Sequence, residues 1–317
     1  MKRLHLGVLL IGVLACSAKP LPAQLLVPGT GQRVVKVGDD FEEPKWSFTF
    51  NNPKSSEEQD KQQRLPAGRS VNGRWYEGMM RGHPDVIRRV PTPEGGIEGS
   101  EGALFLVSRQ TGIPGSYSRT MQQDDLIVDV RSRLGNSIPV SWSPNVVVRV
   151  YLPPFEEWER RTGPSFGFRA ACETHRMKPN KKTKSRWGGG GGSSWQQDTY
   201  WPGLFIQFHQ GDGKSIEDSA SLSVRAGPSG HDFIGPKIKE LGWWTLGMSF
   251  TPDGRVHYFA RPGVEDLTAE DHITSQSPYS FQCERLDTFF FNVVSGDNGN
   301  WSTPWVIDDP MLFYTRR

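Results

Sequence analysis

An amide and an imidazole lie two positions apart in the segment LFIQFH, as Gln207 and His209. Alternate residues of a β-strand point to the same face, so these two side chains would lie side by side, opposite Leu204, Ile206 and Phe208. An amide binds a carboxylate, and an imidazole with a pKa near about 6.5 exchanges a proton close to neutral pH. The pair therefore fits a site that holds an anionic group and moves a proton. The alternative is ordinary polar and apolar alternation on a strand.

Other strands predicted by alternation carry similar outward side chains. In the segment NVVVRVY (145–151), Val146, Val148 and Val150 face the core, and the segments 165–171, 243–250 and 255–260 alternate in the same way. The outward set is Arg149, Tyr151, Arg169, Gln207, His209, Trp243, Arg255 and His257. Arginine pairs with carboxylates and sulfates, and tryptophan stacks on sugar rings. If the strands are neighbours, they form a cationic, aromatic surface suited to an acidic polysaccharide. The alternative is that these residues lie on different sheets or beneath long loops.

The elements that would position these residues are β-strands. The chain has 317 residues with 35 Gly, 24 Pro, 11 Trp and 17 Phe, a composition that favours many short strands joined by turns. We predict an all-β, two-sheet antiparallel sandwich with long loops. Its predicted core comprises Val146, Val148, Phe166, Phe168, Ile206, Phe208, Trp244, Leu246 and Met248. Two segments, 155–161 and 268–273, suggest short helices. A net charge of +2 gives no global field that would favour nucleic acid.

The first 23 residues have the layout of a secretory signal peptide, with Lys2 and Arg3 before an apolar run at 6–14. That run is too short for the ~20 residues of a membrane-spanning helix, and no later segment qualifies. We therefore expect a secreted, periplasmic or cell-surface protein, with a lipoprotein anchored at Cys16 as an open alternative. A flexible leader (24–36) would precede one domain (37–317). The Gly-rich, basic stretch at 173–200 is predicted to be a mobile loop.

Four segments together resemble the concanavalin A-like lectin/glucanase superfamily, a jelly-roll sandwich of two antiparallel sheets. They are the opening GDDFE (38–42), GALFL (102–106), the hairpin WWTL followed by DGRVHY (243–258), and WVIDDPMLF (305–313). The last resembles the closing strand, which pairs beside the first. The resemblance covers most of residues 37–317 and implies a fold rather than an activity, because this fold hosts lectins, glycosidases, lyases and adhesive domains.

The resemblance also supplies catalytic motifs to compare with the chain. The Glu-x-Asp-x-x-Glu strand of the retaining glucanases has no match here. The alginate-lyase-like branch carries a Gln-x-His pair, which Gln207 and His209 match, but its Arg-x-Glu-Leu-Arg and Tyr-x-Lys-x-Gly strands have no match. In a lyase, Gln207 with Arg149 or Arg169 would neutralise a uronate carboxylate. His209 would be the base and Tyr151 the acid.

Members of this superfamily often bind structural calcium near the first and last strands. Asp39 and Asp308 lie in the matching segments, so the resemblance implies a possible calcium site there, with Asp40, Glu42 and Asp309 nearby. Strand-end turn residues are the alternative. Cys172 and Cys283 either form a disulfide or remain two buried thiols, because spacing alone does not fix their geometry.

Three functions remain open from the sequence. The first is a secreted carbohydrate-binding protein without catalysis, which takes a polysaccharide on the sheet face opposite the core. The second is a lyase acting on uronic-acid polymers. The third is a structural or adhesive envelope protein with no glycan ligand.

Overall fold

The computed structural model describes residues 25–50, 54, 57, 61, 67–111, 115–179 and 192–316. The predicted signal peptide and Cys16 lie outside these residues. About half of the chain is strand, arranged as two large antiparallel sheets that form a sandwich, which confirms the predicted jelly-roll fold class. Within the described ranges, no helix has both the length and the apolar character needed to cross a membrane.

Sheet A has eight strands, and β19 lies near its centre. In spatial order the strands are β17 (His272–Gln276), β16 (Val256–Pro262), β15 (Gly242–Phe250), β9 (Asn145–Leu152), β19 (Trp305–Tyr314), β6 (Ala103–Val107) and β5 (Val86–Val90), with β1 (Gln32–Gly38) also paired to β19. The predicted hairpin is confirmed, since β15 and β16 pair antiparallel from Phe250↔Val256 to Trp244↔Pro262.

Sheet B has eleven strands. In spatial order they are β14 (Asp232–Ile238), β13 (Ser219–Arg225), β12 (Gly203–His209), β10 (Gly163–Pro179), β18 (Arg285–Ser295), β7 (Gln122–Val128), β4 (Trp75–Glu77), β3 (Arg69–Ser70) and β2 (Phe48–Thr49), with β11 (Ser193–Tyr200) paired to β10 and β8 (Ile138–Pro139) to β18. The described ranges also contain one short α-helix, α1 (Arg131–Leu134). Four 3₁₀ turns lie at Val140–Trp142, Phe155–Glu157, Ala269–Asp271 and Pro278–Ser280. The two segments predicted as helices are thus single 3₁₀ turns.

The core lies between the inner faces of the two sheets. All nine predicted core residues are buried in it, so the predicted strand register is confirmed. Aromatic rings join the layers: Phe166 of sheet B lies 5.1 Å, centroid to centroid, from Trp305 of sheet A. Because side chains alternate along every strand, this register also determines which residues occupy the two outer faces.

The segment predicted as a flexible leader contributes structure at both of its ends. Gln32–Gly38 is strand β1, which pairs with β19 through Gln32↔Tyr314 and Arg33↔Phe313. Before it, Leu25 and Val27 pack on the outer face of sheet A against Val147. The first strand therefore lies just before the GDDFE segment, and the predicted pairing of the first and last strands is confirmed.

The stretch 173–200 is only partly a loop. Residues 173–179 and 193–200 continue β10 and β11 as a paired ribbon, while 180–191 lie outside the described residues. Ion pairs from Asp198 to Arg176 and Lys178 link the two strands. The composition of this stretch predicted a mobile loop. The structure instead orders residues 173–179 and 193–200, because they pair with each other as antiparallel strands.

Cys172 and Cys283 are both buried and both free. Burial raises the pKa of the Cys172 thiol, and its hydrogen bond with the Cys283 thiol raises it further. The two thiols therefore lie side by side in the core.

Candidate functional site

The structure divides the predicted site residues between the two outer faces of the sandwich. Arg149 and Tyr151 lie on β9, Trp243 on β15, and Arg255 and His257 at the start of β16, all in sheet A. Arg169 lies on β10, with Gln207 and His209 on β12, all in sheet B. The eight residues thus form no single surface, because their strands belong to different layers.

The residues on sheet A are largely covered by loops. The Trp243 indole is buried and donates to the Pro93 carbonyl at 3.3 Å, and the Tyr151 ring packs edge-on against it at 5.5 Å. Arg149 is also buried, donating to the Val264 carbonyl and to Asp266. The alternative of burial beneath loops therefore holds for Arg149 and Trp243, while Tyr151 is half-buried against Trp243.

On sheet B the outer face is open, and Arg169 lies on its floor. Two glycines make the room for its side chain. A Cβ at Gly203, directly across the ladder, would lie 2.6 Å from the Arg169 Cγ, and one at Gly167 would lie 2.8 Å from the Phe205 ring. Phe205 and Phe290 then flank the guanidinium, with ring centroids 5.6 and 5.3 Å from its central carbon. The arginine is thus held between two aromatic rings.

Arg169 is a buried cation with an unused donor. It is 7% exposed, Nη2 donates to the Trp201 carbonyl at 3.1 Å, and Nη1 contacts the Asn292 Oδ1 at 3.5 Å. Its Nε has no hydrogen-bond partner among the described residues. Burial and the neighbouring Arg225 lower the pKa of Arg169 to about 10, so it stays charged at neutral pH. A buried, charged donor without a partner costs free energy unless a ligand atom pairs with it.

A groove of about 390 Å³ lies above this floor. Its lining includes the aromatic side chains Tyr76, Trp201, Tyr279 and Phe290, together with Arg81, Arg169 and Arg225. An adjoining depression, also about 390 Å³, shares Arg81, Gln123 and Arg225 with it and adds Lys61 and Phe205. Trp201 is 43% exposed, so its ring offers an open stacking surface.

The acidic residues of the groove are engaged by neighbours. Asp125 accepts from the Asn292 amide at 2.6 Å and from the Gln123 amide at 2.9 Å, and burial raises its pKa. Burial also raises the pKa of Asp287, partly offset by Arg131. Asp232 pairs with Arg225 through two contacts of 2.7 and 3.1 Å. Three arginines and a lysine against two carboxyls in the lining, the buried Asp125 and the half-buried Asp287, leave the groove cationic.

Gln207 and His209 face the same side of sheet B but lie farther along β12. The Gln207 amide donates to Ser223 at 2.9 Å, and the His209 Nε2 lies 2.8 Å from the Ser221 hydroxyl. Arg169 pairs with Gly203, four residues from Gln207 and six from His209. At about 3.4 Å per residue, these separations are about 14 and 20 Å. One sugar ring cannot contact Arg169 and His209 together, and Tyr151 lies on the opposite face of the sandwich.

Sequence reasoning missed Trp201, Asn292 and Phe290. Trp201 lies between two strands, and the TFFFNVV run of β18 shows no polar alternation that marks its outward side. The signal that was present is the pair Gly167 and Gly203, because a glycine within a strand marks a place where another group approaches closely.

The two predicted calcium ligands, Asp39 and Asp308, differ in the hydrogen-bond partners that surround them. The Asp39 carboxylate accepts from the indoles of Trp46 and Trp75 and from the Asn72 amide, at 2.8–3.0 Å, so it is fully used within the fold. The described ranges hold no cluster of three or more His, Cys, Asp or Glu side chains suited to a metal ion. Asp39 does not fit as a ligand.

Asp308 has a more suitable set of neighbours. The Ser100 hydroxyl lies 2.9 Å from the Asp308 Oδ2, 3.0 Å from the Glu42 Oε1 and 3.4 Å from the Gly102 carbonyl oxygen. Burial, with Asp309 beside it, raises the pKa of Asp308 to about 7. Two carboxylates, a hydroxyl and a carbonyl form a hard oxygen donor set of the kind Ca²⁺ prefers. Calcium binding therefore stays a prediction. The expected ligands are Asp308 and Glu42, and Asp39 is no longer among them.

No protein-family model matches the chain, and no curated protein matches its sequence. Among solved structures, it is similar to the conserved carbohydrate esterase of the Shiga toxin-encoding bacteriophage phi24B, at 10% identity over 83% of this chain and 97% of that one, with a TM-score of 0.41. It is similar to an alginate lyase of Pseudomonas aeruginosa, at 9% identity over 73% and 86% of the two chains, with a TM-score of 0.36. It is also similar to the exoplasmic/lumenal domain of VIP36, bound to Ca²⁺ and Man3GlcNAc. The identity is 10% over 76% of this chain and 84% of that one, with a TM-score of 0.33. These scores all lie below 0.5, so no residue role is transferred from these proteins.

Proposed function

We propose that this chain is a carbohydrate-binding protein that takes an acidic polysaccharide in the groove on the outer face of sheet B. The observation that carries the proposal is the buried, charged guanidinium of Arg169 on the floor of an open groove, whose Nε is unpartnered among the described residues. A carboxylate or sulfate that approaches the guanidinium from the groove pairs with its charge. Export, predicted from the N-terminal sequence, would place the groove where polysaccharides occur.

The walls of the groove match the rest of a sugar chain. Trp201 and Tyr279 present aromatic surface on one side and Tyr76 on the other, and Arg81 and Arg225 extend the positive charge beyond Arg169. A pyranose ring has apolar C–H faces that stack on aromatic rings and an edge of hydroxyls that bonds polar groups. A groove open at its surface suits a segment of a polymer.

Binding without catalysis is favoured because His209, the base that a lyase would use, is not part of the described lining of the groove. A lyase needs a neutralised carboxylate, a base and an acid at one sugar, whereas Arg169 and His209 are about 20 Å apart. A glycosidase needs two carboxyls within about 10 Å. Asp287 lies five residues along β18 from the partner of Asp125, a separation of about 17 Å.

Calorimetry with alginate, polygalacturonate and a neutral glucan tests the proposal. We expect binding to the acidic polymers only, and a loss of about tenfold or more in affinity for Arg169→Met, because that substitution removes a buried charge-assisted contact. Trp201→Ala should weaken binding and leave the melting temperature unchanged, since its ring is half-exposed. His209→Ala and Gln207→Ala should weaken binding only slightly.

Arg88→Met is the matched control, because Arg88 lies on sheet A, over the Phe105 ring, away from the groove. It should bind as the wild type does. The proposal that the groove binds the polysaccharide would be wrong if Trp201→Ala and Arg169→Met bound the acidic polymers as tightly as the wild type. Unsaturated uronate, detected by its ultraviolet absorbance and lost in His209→Ala, would favour a lyase instead.

A further inference from the structure

A second cluster of polar side chains lies on the opposite sheet, at the edge formed by β16 and β17. Five of them form one chain of hydrogen bonds, from Asp253 through Thr251, His257 and Ser275 to His272. The His257 Nε2 is 2.7 Å from the Thr251 hydroxyl, and its Nδ1 is 2.6 Å from the Ser275 hydroxyl. The His272 Nε2 lies 2.8 Å from the same Ser275 oxygen. Both nitrogens of His257 are therefore used.

The carboxylate at one end determines where every proton lies. A carboxylate only accepts, so the Thr251 hydroxyl donates to Asp253 and accepts from the His257 Nε2–H. Burial lowers the pKa of His257 to about 4, so the ring is neutral and its Nδ1 carries a lone pair. The Ser275 hydroxyl then donates to that Nδ1 and accepts from the His272 Nε2–H. One imidazole is thus positioned as a base toward Ser275 and the other as a donor.

We propose that Ser275 is an activated serine that hydrolyses acyl esters, with His257 as its general base. Ser275 and His272 are half-buried on the edge strand of sheet A, so part of each residue is exposed to solvent. The exposed Arg255 donates from its Nη2 to the Ser275 carbonyl, which holds a cation beside the hydroxyl. Nucleophile, base and an orienting group that ends in a carboxylate are the parts that acyl transfer requires. This activity is independent of the glycan groove, which lies on the other face.

The reaction consumes only the ester and water. The Ser275 oxygen bonds to the acyl carbon while its proton passes to the His257 Nδ1. As the acyl C–O bond breaks, that proton goes to the leaving alkoxide. Water then attacks the acyl-serine, gives a proton to His257, and releases the carboxylic acid as the Ser275 hydroxyl regains its proton. The charged and titratable groups that face His257 are Asp253, which stabilises its cation through Thr251, and His272 and Arg255, which oppose it.

Hydrolysis of p-nitrophenyl acetate by the full chain tests the proposal. We expect Ser275→Ala and His257→Gln to lose about a hundredfold in rate, the usual contribution of a general base. His272→Gln should stay within about threefold, because glutamine retains a donor toward Ser275. A purely structural network would predict similar effects for the two histidines.

Ser229→Ala is the matched control, because Ser229 also contacts a histidine, His231 at 2.9 Å, but without the link to a carboxylate. It should hydrolyse the ester at the wild-type rate. A fluorophosphonate probe should label Ser275 in the unaltered chain, as read by peptide mass spectrometry, which tests the proposal even where a variant fails to fold. No label on Ser275, or hydrolysis equal in wild type and Ser275→Ala, would overturn it. Glycan binding should be the same in all these variants.

Discussion

At the scale of single residues, the two outer faces differ in how their buried arginines are covered. On sheet A, Arg149 donates to a carbonyl and a carboxylate of the loop above it, and its Nη1 has no partner among the described residues. On sheet B, Arg169 lies under an open groove with one donor unused. Both are buried arginines that alternate with valine or phenylalanine in sequence. The difference comes from the Asp266 loop, which covers one face, and from Gly167 and Gly203, which open the other.

His257 should make the stability of the protein depend on pH. Its pKa is lowered from 6.5 to about 4 by burial, so between these values the unfolded chain binds a proton that the folded chain does not. The free energy of unfolding therefore falls as pH drops from 6.5 to 4, by up to about 3 kcal/mol at about 1.4 kcal/mol per pKa unit. Urea unfolding of wild type and His257→Gln across this range checks the prediction. The contributions of other titrating groups cancel when the unfolding free energies of the two proteins are subtracted. If the two free energies depend on pH in the same way, the prediction is wrong.

At the scale of elements, β19 is interrupted where its acidic residues lie. Its register with β9 shifts between Asp308 and Met311, and Asp309 has a φ of 45°. The shift accompanies a close approach by Gly38 at the end of β1, where a Cβ would lie 1.8 Å from the Pro310 carbonyl oxygen. Asp308, at the start of the irregularity, accepts from the Ser100 hydroxyl, which also lies near Glu42 and Gly102. A bulge of this kind re-aims a side chain in the middle of a strand.

Calcium should stabilise this element. A cation placed among the Asp308, Glu42 and Ser100 oxygens relieves the repulsion between the carboxylates, so added Ca²⁺ should raise the melting temperature and EDTA should lower it. Asp308→Asn should abolish the response, while Glu94→Gln, an exposed carboxylate nearby, should keep it. Differential scanning fluorimetry measures both. A wild-type melting temperature indifferent to Ca²⁺ and EDTA would discard the site.

At the scale of the whole molecule, the two ends of the described chain meet in sheet A. Strand β1 pairs with β19, and the Val34 and Val37 side chains enter the core. The preceding residues lie over Gly247, whose missing side chain leaves room for Pro28. The fold is thus completed by contacts between residues almost 300 positions apart.

Removal of β1 should therefore prevent stable folding. A chain beginning at Asp39 loses two buried valines and exposes the ladder edge of β19, which favours aggregation. A chain beginning at Leu25 keeps every described contact and should melt as the full chain does. Circular dichroism and size-exclusion chromatography compare them. A monomeric, cooperatively melting chain from Asp39 would show that β1 is dispensable.

The sequence by itself determined several of the strands, their register and the core residues that they contribute. Alternation at Val146–Val150, Phe166–Phe168 and Leu246–Met248 is local, because each side chain's face depends only on its parity along one strand. The same parity placed Arg169, Gln207 and His209 outward. It also indicated the hairpin of β15 and β16, whose turn is short enough to be read from neighbouring residues.

The tertiary structure decided which outward residues share a face and which of these stay open. Arg149 and Arg169 have the same local pattern, yet strand order places them on opposite sheets, and no local signal encodes strand order. His257 contacts Ser275 from the neighbouring strand, and Asn292 contacts Arg169 across a separation of 123 residues in sequence. Long-range pairing alone brings these groups within hydrogen-bond distance. The chemistry of this protein therefore depends on contacts that no single stretch of the sequence specifies.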